Sequence, residues 1–165
     1  MREGSTLSDE EEHQLIYEVV GKRAKRRTMH LLEQMDRTEQ QLREKLKQGG
    51  YPQACIDLAL EYVKSFHYVD DYRYACTYIN YRQDRMSRYQ LKVKLYGKGV
   101  PGEVIDRALE ECYEGDEQEQ IIRLLEKKNL DAQNSDPKEF TRVYQYLMRR
   151  GFRSNDVLRA MKSKQ

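Results

Sequence analysis

Six cations crowd the middle of the chain, Arg82, Arg85, Arg88, Lys92, Lys94 and Lys98, with Tyr81 and Tyr89 among them. A guanidinium presents a planar fork of donors that fits a phosphate or a carboxylate, and an ammonium adds a compact point charge. An aromatic ring between such charges offers a face for a base or a flat side chain to stack on. These residue types at this spacing suit the holding of a polyanion, either a nucleic-acid backbone or an acidic protein surface. On a helix, Arg88 and Lys92 share one face and Lys94 and Lys98 another, so the patch is broad. A solvated charged face is the plain alternative.

A second cluster, Arg142, Arg149, Arg150, Arg153 and Arg159, contains no lysine, as bidentate recognition would favour. Its plain alternative is a soluble cap on the end of the chain. The run Lys22 to Arg27 is read as the exposed side of a helix. Of the 13 tyrosines, set against 3 Phe and no Trp, most are expected to close a thin core with the ring while the hydroxyl reaches water. Tyr81, Tyr89 and Tyr96 are the expected exceptions.

Catalytic chemistry finds little support. Asp70 and Asp71 are adjacent carboxylates, but no third acid or histidine is placed to complete a site, and both are read as the start of a helix. His13, His30 and His67 are dispersed and form no recognisable relay with a serine or cysteine. Gly97-Lys98-Gly99 lacks the spacing of a phosphate-binding loop. Cys55, Cys76 and Cys112 are odd in number with no Cys-x-x-Cys pair, so they are read as reduced thiols that pack. No enzyme, metal or cofactor is expected.

The elements that must position the cations follow from a pattern centred on Gly50, Gly99 and Gly151, roughly fifty residues apart. Eight and four residues before each glycine stand Leu42 and Leu46, Leu91 and Leu95, Val143 and Leu147; one after come Tyr51, Val100 and Phe152. Further on, in the same register, come Ile56, Ala59 and Leu60, then Ile105, Ala108 and Leu109, then Val157, Ala160 and Met161. The chain is therefore a tandem repeat whose units, too small to be comfortable alone, lean on their neighbours.

Each unit parses as three helices. The second helix of each starts at a capping signal: Thr38 with Gln41, Ser87 with Gln90, and Asp136 followed by Pro137. Asp136 stands farther ahead of its glycine than Thr38 or Ser87, which predicts a longer helix in the third unit. Each of these helices ends at its glycine, where a left-handed turn is easiest. The third helices open at Pro52 and Pro101 in the first two units, the prolines falling in the first turn. First helices are predicted over Lys22 to Gln34, from Asp70 to near Asp84 with Val69 and Tyr74 as a staple, and over Glu117 to Lys128 with Ile121, Leu124 and Leu125 inward. Asn129 to Ser135 reads as a polar, mobile loop. With no period-two alternation of useful length, the fold is all-α: three tandem three-helix repeats forming an elongated, curved array of about nine helices. The boundaries are a variable N-terminal segment at 1–20 and repeats at 21–69, 70–116 and 117–165.

Composition agrees with a thin array. The 165 residues carry 30 Lys and Arg against 28 Asp and Glu, a net charge of +2, and a mean hydropathy of −0.99 leaves much of the chain facing water. With charge so balanced, binding to nucleic acid alone should be weak. Nothing approaches a membrane span, and the polar, acidic start is not a signal peptide, so a cytoplasmic chain is expected, and it is read as a monomer.

At Tyr68-Val69-Asp70-Asp71-Tyr72-Arg73-Tyr74-Ala75 the chain resembles the RecX family of regulators of the RecA recombinase. The resemblance covers roughly residues 20 to 165. It is carried further by Thr38, Leu42, Leu46 and Gly50, and by Arg88, Leu91, Leu95, Lys98, Gly99, Val100, Ile105, Ala108 and Leu109. Two positions depart from the usual pattern: His67 stands where a glycine commonly precedes the aromatic residue, and Tyr74 replaces the more usual Phe. The resemblance implies a non-enzymatic protein that binds in the groove of the RecA–DNA filament, limits its growth, and lowers ATP hydrolysis and strand exchange. Asp70, Asp71, Tyr74, Ala75 and Gly99 then count as structural motif residues. Tyr81, Arg82, Arg85, Arg88, Tyr89, Lys92, Lys94, Lys98, Arg149, Arg150 and Arg153 are the candidates for contact with RecA or DNA. Two other readings stay open: a RecA-independent nucleic-acid binder, and a generic helical-repeat adaptor.

Overall fold

The computed structural model describes residues 8–128 and 136–162. Among them there are nine helices and no strand: α1 (Asp9–Gln34), α2 (Glu39–Gln48), α3 (Gln53–Ser65), α4 (Asp71–Arg82), α5 (Arg88–Gly97), α6 (Gly102–Cys112), α7 (Glu117–Lys127), α8 (Pro137–Arg149) and α9 (Ser154–Lys162). The predicted loop at 129–135 lies outside the described residues. The chain divides into two compact units, Met1–Tyr74 and Ala75–Gln165.

In the first unit, α1 starts at Asp9, well before the Lys22 that the apolar spacing predicts. The Ser8 hydroxyl accepts from the Glu11 amide at 3.3 Å, and the Ser8 amide donates to Glu11 Oε2 at 3.0 Å. Asp9, Glu10, Glu11 and Glu12 thus form the first turn, where carboxylates complement the positive end of the helix dipole. The acidic run is the first turn of this helix.

Farther along α1, Gly21, Ala24, Thr28 and Leu31 are buried. A β-carbon at Gly21 would stand 3.0 Å from Leu58 Cδ2, so the small residues let α1 lie close on α3. The Thr28 hydroxyl is satisfied locally by the Ala24 carbonyl at 2.8 Å. Leu42, Leu46, Ile56, Leu60, Val63 and Val69 complete this core.

The glycine-centred pattern is a Schellman motif used three times. Gly50, Gly99 and Gly151 have φ of 81°, 88° and 86°, the left-handed region where a side chain is strained. The residue after each glycine donates back to the carbonyl five positions earlier: Tyr51 to Leu46 at 3.2 Å, Val100 to Leu95 at 3.2 Å, Phe152 to Leu147 at 3.4 Å. These pairs are the apolar positions four before and one after the glycine, so sequence spacing and backbone bonding are one feature. The end of α3 makes the same bond, Tyr68 to Val63 at 2.9 Å, but there His67 holds the left-handed position at φ 57°. The departure from glycine at His67 keeps the turn geometry and adds strain to it.

Capping follows the sequence closely. Thr38 and Ser87 make complete capping boxes with Gln41 and Gln90, and both cap residues are fully buried. The Asp70 carboxylate accepts from the Arg73 amide at 3.1 Å and starts α4. Asp116 and Asp136 cap α7 and α8, with Pro137 as the first helical residue of α8. At 13 residues against 10 for α2 and α5, α8 is longer, as predicted. Pro52 and Pro101 stand at the N-cap, one residue ahead of α3 and α6 rather than inside the first turn.

In the second unit, Ala75, Ile79, Leu91, Leu95, Ile105 and Ala108 are buried on α4 to α6, and Ile121, Leu125, Val143, Leu147, Val157 and Ala160 on α7 to α9. No helix among the described residues is long and apolar enough to cross a membrane.

Candidate functional site

The candidate side chains hang on α4, α5 and the corner between α8 and α9, all within the second unit. Tyr81 and Arg82 end α4, and Arg85 lies in the short turn before α5, which is closed by the Arg85 and Met86 amides bonding the Arg82 carbonyl, each at 3.0 Å. Tyr81 is 77% exposed. With Arg82, Arg85 and Met86 it lines a concavity of about 490 Å³. The Arg82 guanidinium sits 3.9 Å from the centre of the buried Tyr78 ring, and the Lys98 ammonium approaches the same ring at 5.6 Å. One buried ring therefore organises two of the cations through its negative face.

Arg88 is the first residue of α5. Its amide donates to Glu117 Oε1 at 2.8 Å, and its guanidinium lies 5.3 Å from the centre of the Tyr113 ring. The Tyr113 hydroxyl donates to the Met86 carbonyl at 3.4 Å, and the Gln120 amide, which also bonds the Gln83 carbonyl at 2.6 Å, donates to that hydroxyl at 3.3 Å. Burial, and then the negative charge of Glu117, push the Tyr113 hydroxyl up to about 12, so it stays a neutral donor. This network fixes the platform under Arg88.

The two arginine clusters that the sequence keeps apart meet here. The Ser87 hydroxyl donates to the Arg150 carbonyl at 3.1 Å, and Tyr89 lies against Gly151, so the α8–α9 corner seats on the start of α5. Arg88 joins Arg153 and Arg159 around a concavity of about 520 Å³. Glu114, Asp116, Glu117 and Asp156 line it too, four carboxylates against three guanidiniums, so it favours a partner of mixed charge over a phosphate backbone. The Tyr81–Arg82–Arg85 concavity has no carboxylate in its lining, so its charged lining is entirely basic.

The other candidates are placed less favourably. The Lys92 ammonium is drawn to Asp106 at 2.6 Å. Arg150 and Lys128 lie over the Tyr146 ring, at 5.1 and 3.9 Å from its centre. Lys94 and Arg149 are exposed and line neither concavity. Tyr89 and Tyr96 are 57% and 72% exposed. The basic run contributes Lys22, Lys25 and Arg26 to a concavity of about 510 Å³ with Tyr62 in the first unit, where Lys25 stands 5.0 Å from the Tyr62 ring centre.

The sequence shows Asp70 and Asp71 as one helix start, but they cap different helices. Asp71 reaches back to α2, accepting the Glu39 amide at 3.0 Å. Glu117 does the same for the Arg88 amide of α5. Both are the first residue of the helix that opens the following triplet. Burial holds the Asp71 carboxyl above its usual range.

Family models match the chain in three places: the first three-helix domain of RecX over 24–62, the second over 70–109 and the third over 115–161. The regulatory protein RecX of Caldanaerobacter subterraneus subsp. tengcongensis is 29% identical over 162 residues, 98% of this chain and 80% of that protein. The one from Geobacillus kaustophilus is 31% identical over 92% of this chain, which spans only 58% of that longer protein. Among solved structures, a regulatory protein RecX superposes with a TM-score of 0.79 at 22% identity, over 94% of this chain and 78% of the other. RecX from Lactobacillus salivarius does so with a TM-score of 0.76 at 18% identity, over 87% and 96%; these two likenesses concern the fold. With its three helix triplets matched in order by the three RecX domains, the chain belongs to the RecX family of regulatory proteins.

Proposed function

We propose that the chain regulates RecA by binding in the groove of the RecA–DNA filament, limiting filament growth and with it ATP hydrolysis and strand exchange. Contact runs through the surface around Tyr81, Arg82 and Arg85, continued by Arg88 and Tyr89. The observation that carries this reading, beyond family membership, is a concavity lined by two guanidiniums and a 77% exposed tyrosine with no carboxylate among its lining residues. That surface offers an acidic loop of a protein, or a phosphate, a charged fork and a stacking face together. The protein acts as a cytoplasmic monomer without chemistry of its own, and Arg153 with Arg159 serves a partner of mixed charge.

The test is DNA-stimulated ATP hydrolysis by RecA as the folded chain is titrated. Inhibition is expected, and its absence at several-fold excess over filament sites would overturn the proposal. Exposed Tyr81 and Tyr96 beside cations favour a second reading, direct nucleic-acid binding without RecA. That reading requires an affinity whose logarithm falls with log salt by about 0.7–0.9 per phosphate contacted. Recovery of a different protein and not RecA from a bacterial lysate would favour a general adaptor.

A further inference from the structure

Cys76 lies in α4 and Cys112 is the last residue of α6. They are 36 positions apart in sequence, yet their sulfurs stand 2.6 Å apart with both thiols free. Ordinary non-bonded contacts settle at about 3.5–4.0 Å, and a disulfide bond is about 2.05 Å long. The fold therefore holds the pair nearer to bonding than to packing distance. Both residues are only partly buried, within reach of a small oxidant, whereas Cys55 is 1% exposed in the first unit's core.

We propose that Cys76 and Cys112 are a modification site for small hydroperoxides, closing to a reversible intramolecular disulfide. The Cys112 thiol donates to the Cys76 sulfur. Burial, that hydrogen bond and the nearby charges of Glu111 and Glu114 push the Cys112 thiol up to about 11, so it keeps its proton at neutral pH. Cys76, the sulfur that receives this hydrogen bond, is the one that attacks. It takes the terminal oxygen of the peroxide, the O–O bond breaks, and a sulfenic acid and one water (or alcohol) result. The Cys112 sulfur then displaces hydroxide from the sulfenic sulfur, its proton leaving with that hydroxide as a second water. Two thiols lose two electrons and the peroxide gains them. The new bond ties α4, which ends in Tyr81 and Arg82, to the residue preceding Tyr113, on which Arg88 rests.

The experiment exposes the reduced chain to equimolar hydrogen peroxide, alkylates what remains free, and maps peptides without reduction. A linked Cys76–Cys112 pair two hydrogens lighter, an alkylated Cys55 and full reversal by dithiothreitol are expected, with a higher thermal transition in the oxidised chain. The Cys112→Ser variant, checked for helicity, should leave Cys76 as a sulfenic acid trapped by dimedone and show no rise in the transition. Phenylarsine oxide, which bridges two neighbouring thiols, should bind the reduced wild type at one per chain and Cys112→Ser not at all. Free, alkylatable Cys76 and Cys112 after peroxide, or links only between chains, would overturn the proposal. Neither outcome depends on RecA.

Discussion

Replacing Asp71 by alanine removes the acceptor for the first amide of α2. That amide has no partner within its own helix, and the Asp71 carboxylate meets it at 3.0 Å from the start of α4. Losing a cap contact costs about 0.5–2 kcal/mol, and leaving a half-buried donor without an acceptor costs about 1–3 kcal/mol when no water replaces it. Because Glu39 is partly exposed, water recovers part of this, and a loss of about 1–2 kcal/mol is expected for Asp71→Ala. Asp71→Asn keeps an oxygen in place and removes a charge that burial disfavours, at a small cost in helix-dipole interaction of about 0.3–1 kcal/mol. It should therefore lie much closer to wild type. With a urea m-value of about 1–3 kcal/mol/M, the alanine variant should lower the unfolding midpoint by about 0.3–2 M. Far-UV circular dichroism against urea reads the difference. Glu117→Ala, which removes the equivalent acceptor for Arg88, should behave alike, and since the two contacts share no residue the losses should add. An alanine variant indistinguishable from wild type would refute the reasoning. So would an asparagine variant as damaged as the alanine one, since charge and not the acceptor would then matter.

The raised Asp71 carboxyl also fixes the sign of a pH effect: between its ordinary range and its higher folded value the native state holds the proton more tightly, so this group's contribution falls as pH rises. Denaturation at several pH values should show wild type gaining on Asp71→Asn as the solution is acidified. Gly50→Ala meets open space and only the left-handed strain, about 1–2 kcal/mol. Gly151→Ala should lose more, by a further ~1–3 kcal/mol, because its β-carbon would fall 2.5 Å from Tyr89 Cγ; thermal unfolding separates the two. His67→Gly removes left-handed strain at some cost in chain entropy and should stabilise by about 0.5–1 kcal/mol in the same assay. Reversing Arg82, Arg85 and Arg88 together to glutamate, at up to about 1 kcal/mol per surface contact, should raise the half-inhibitory concentration in the RecA assay about a hundredfold. Unchanged inhibition by a folded triple variant would move the contact surface elsewhere.

What could be read from the sequence was local. The triple Schellman motif spans six residues of contiguous chain, and the boxes at Thr38 and Ser87 span four, so spacing alone exposes them. The early start of α1 was equally local, a serine followed three residues later by Glu11, but it hides in an acidic run that resembles a tail. The rest depends on how helices pack. Asp71 meets an amide 32 positions away, Glu117 one 29 positions away, and Cys76 a thiol 36 away. No spacing rule links such residues. The same holds for the convergence of Arg88 with Arg153 and Arg159, which sequence distance separates into two patches.

The paired acceptors also have a meaning for anyone who would build with these triplets. An acid at the head of one triplet is the coupling that completes the helix of the triplet before it, at Asp71 for α2 and Glu117 for α5. The corresponding position of α8 is Pro137, which has no amide hydrogen to satisfy, so α8 asks for no acid from beyond. The first residue of the middle helix thus decides whether that helix offers an amide for an acid outside it, as at Glu39 and Arg88, or none, as at Pro137. Exchanging Pro137 for a glutamate would give α8 a first amide of the kind that Asp71 and Glu117 satisfy at α2 and α5.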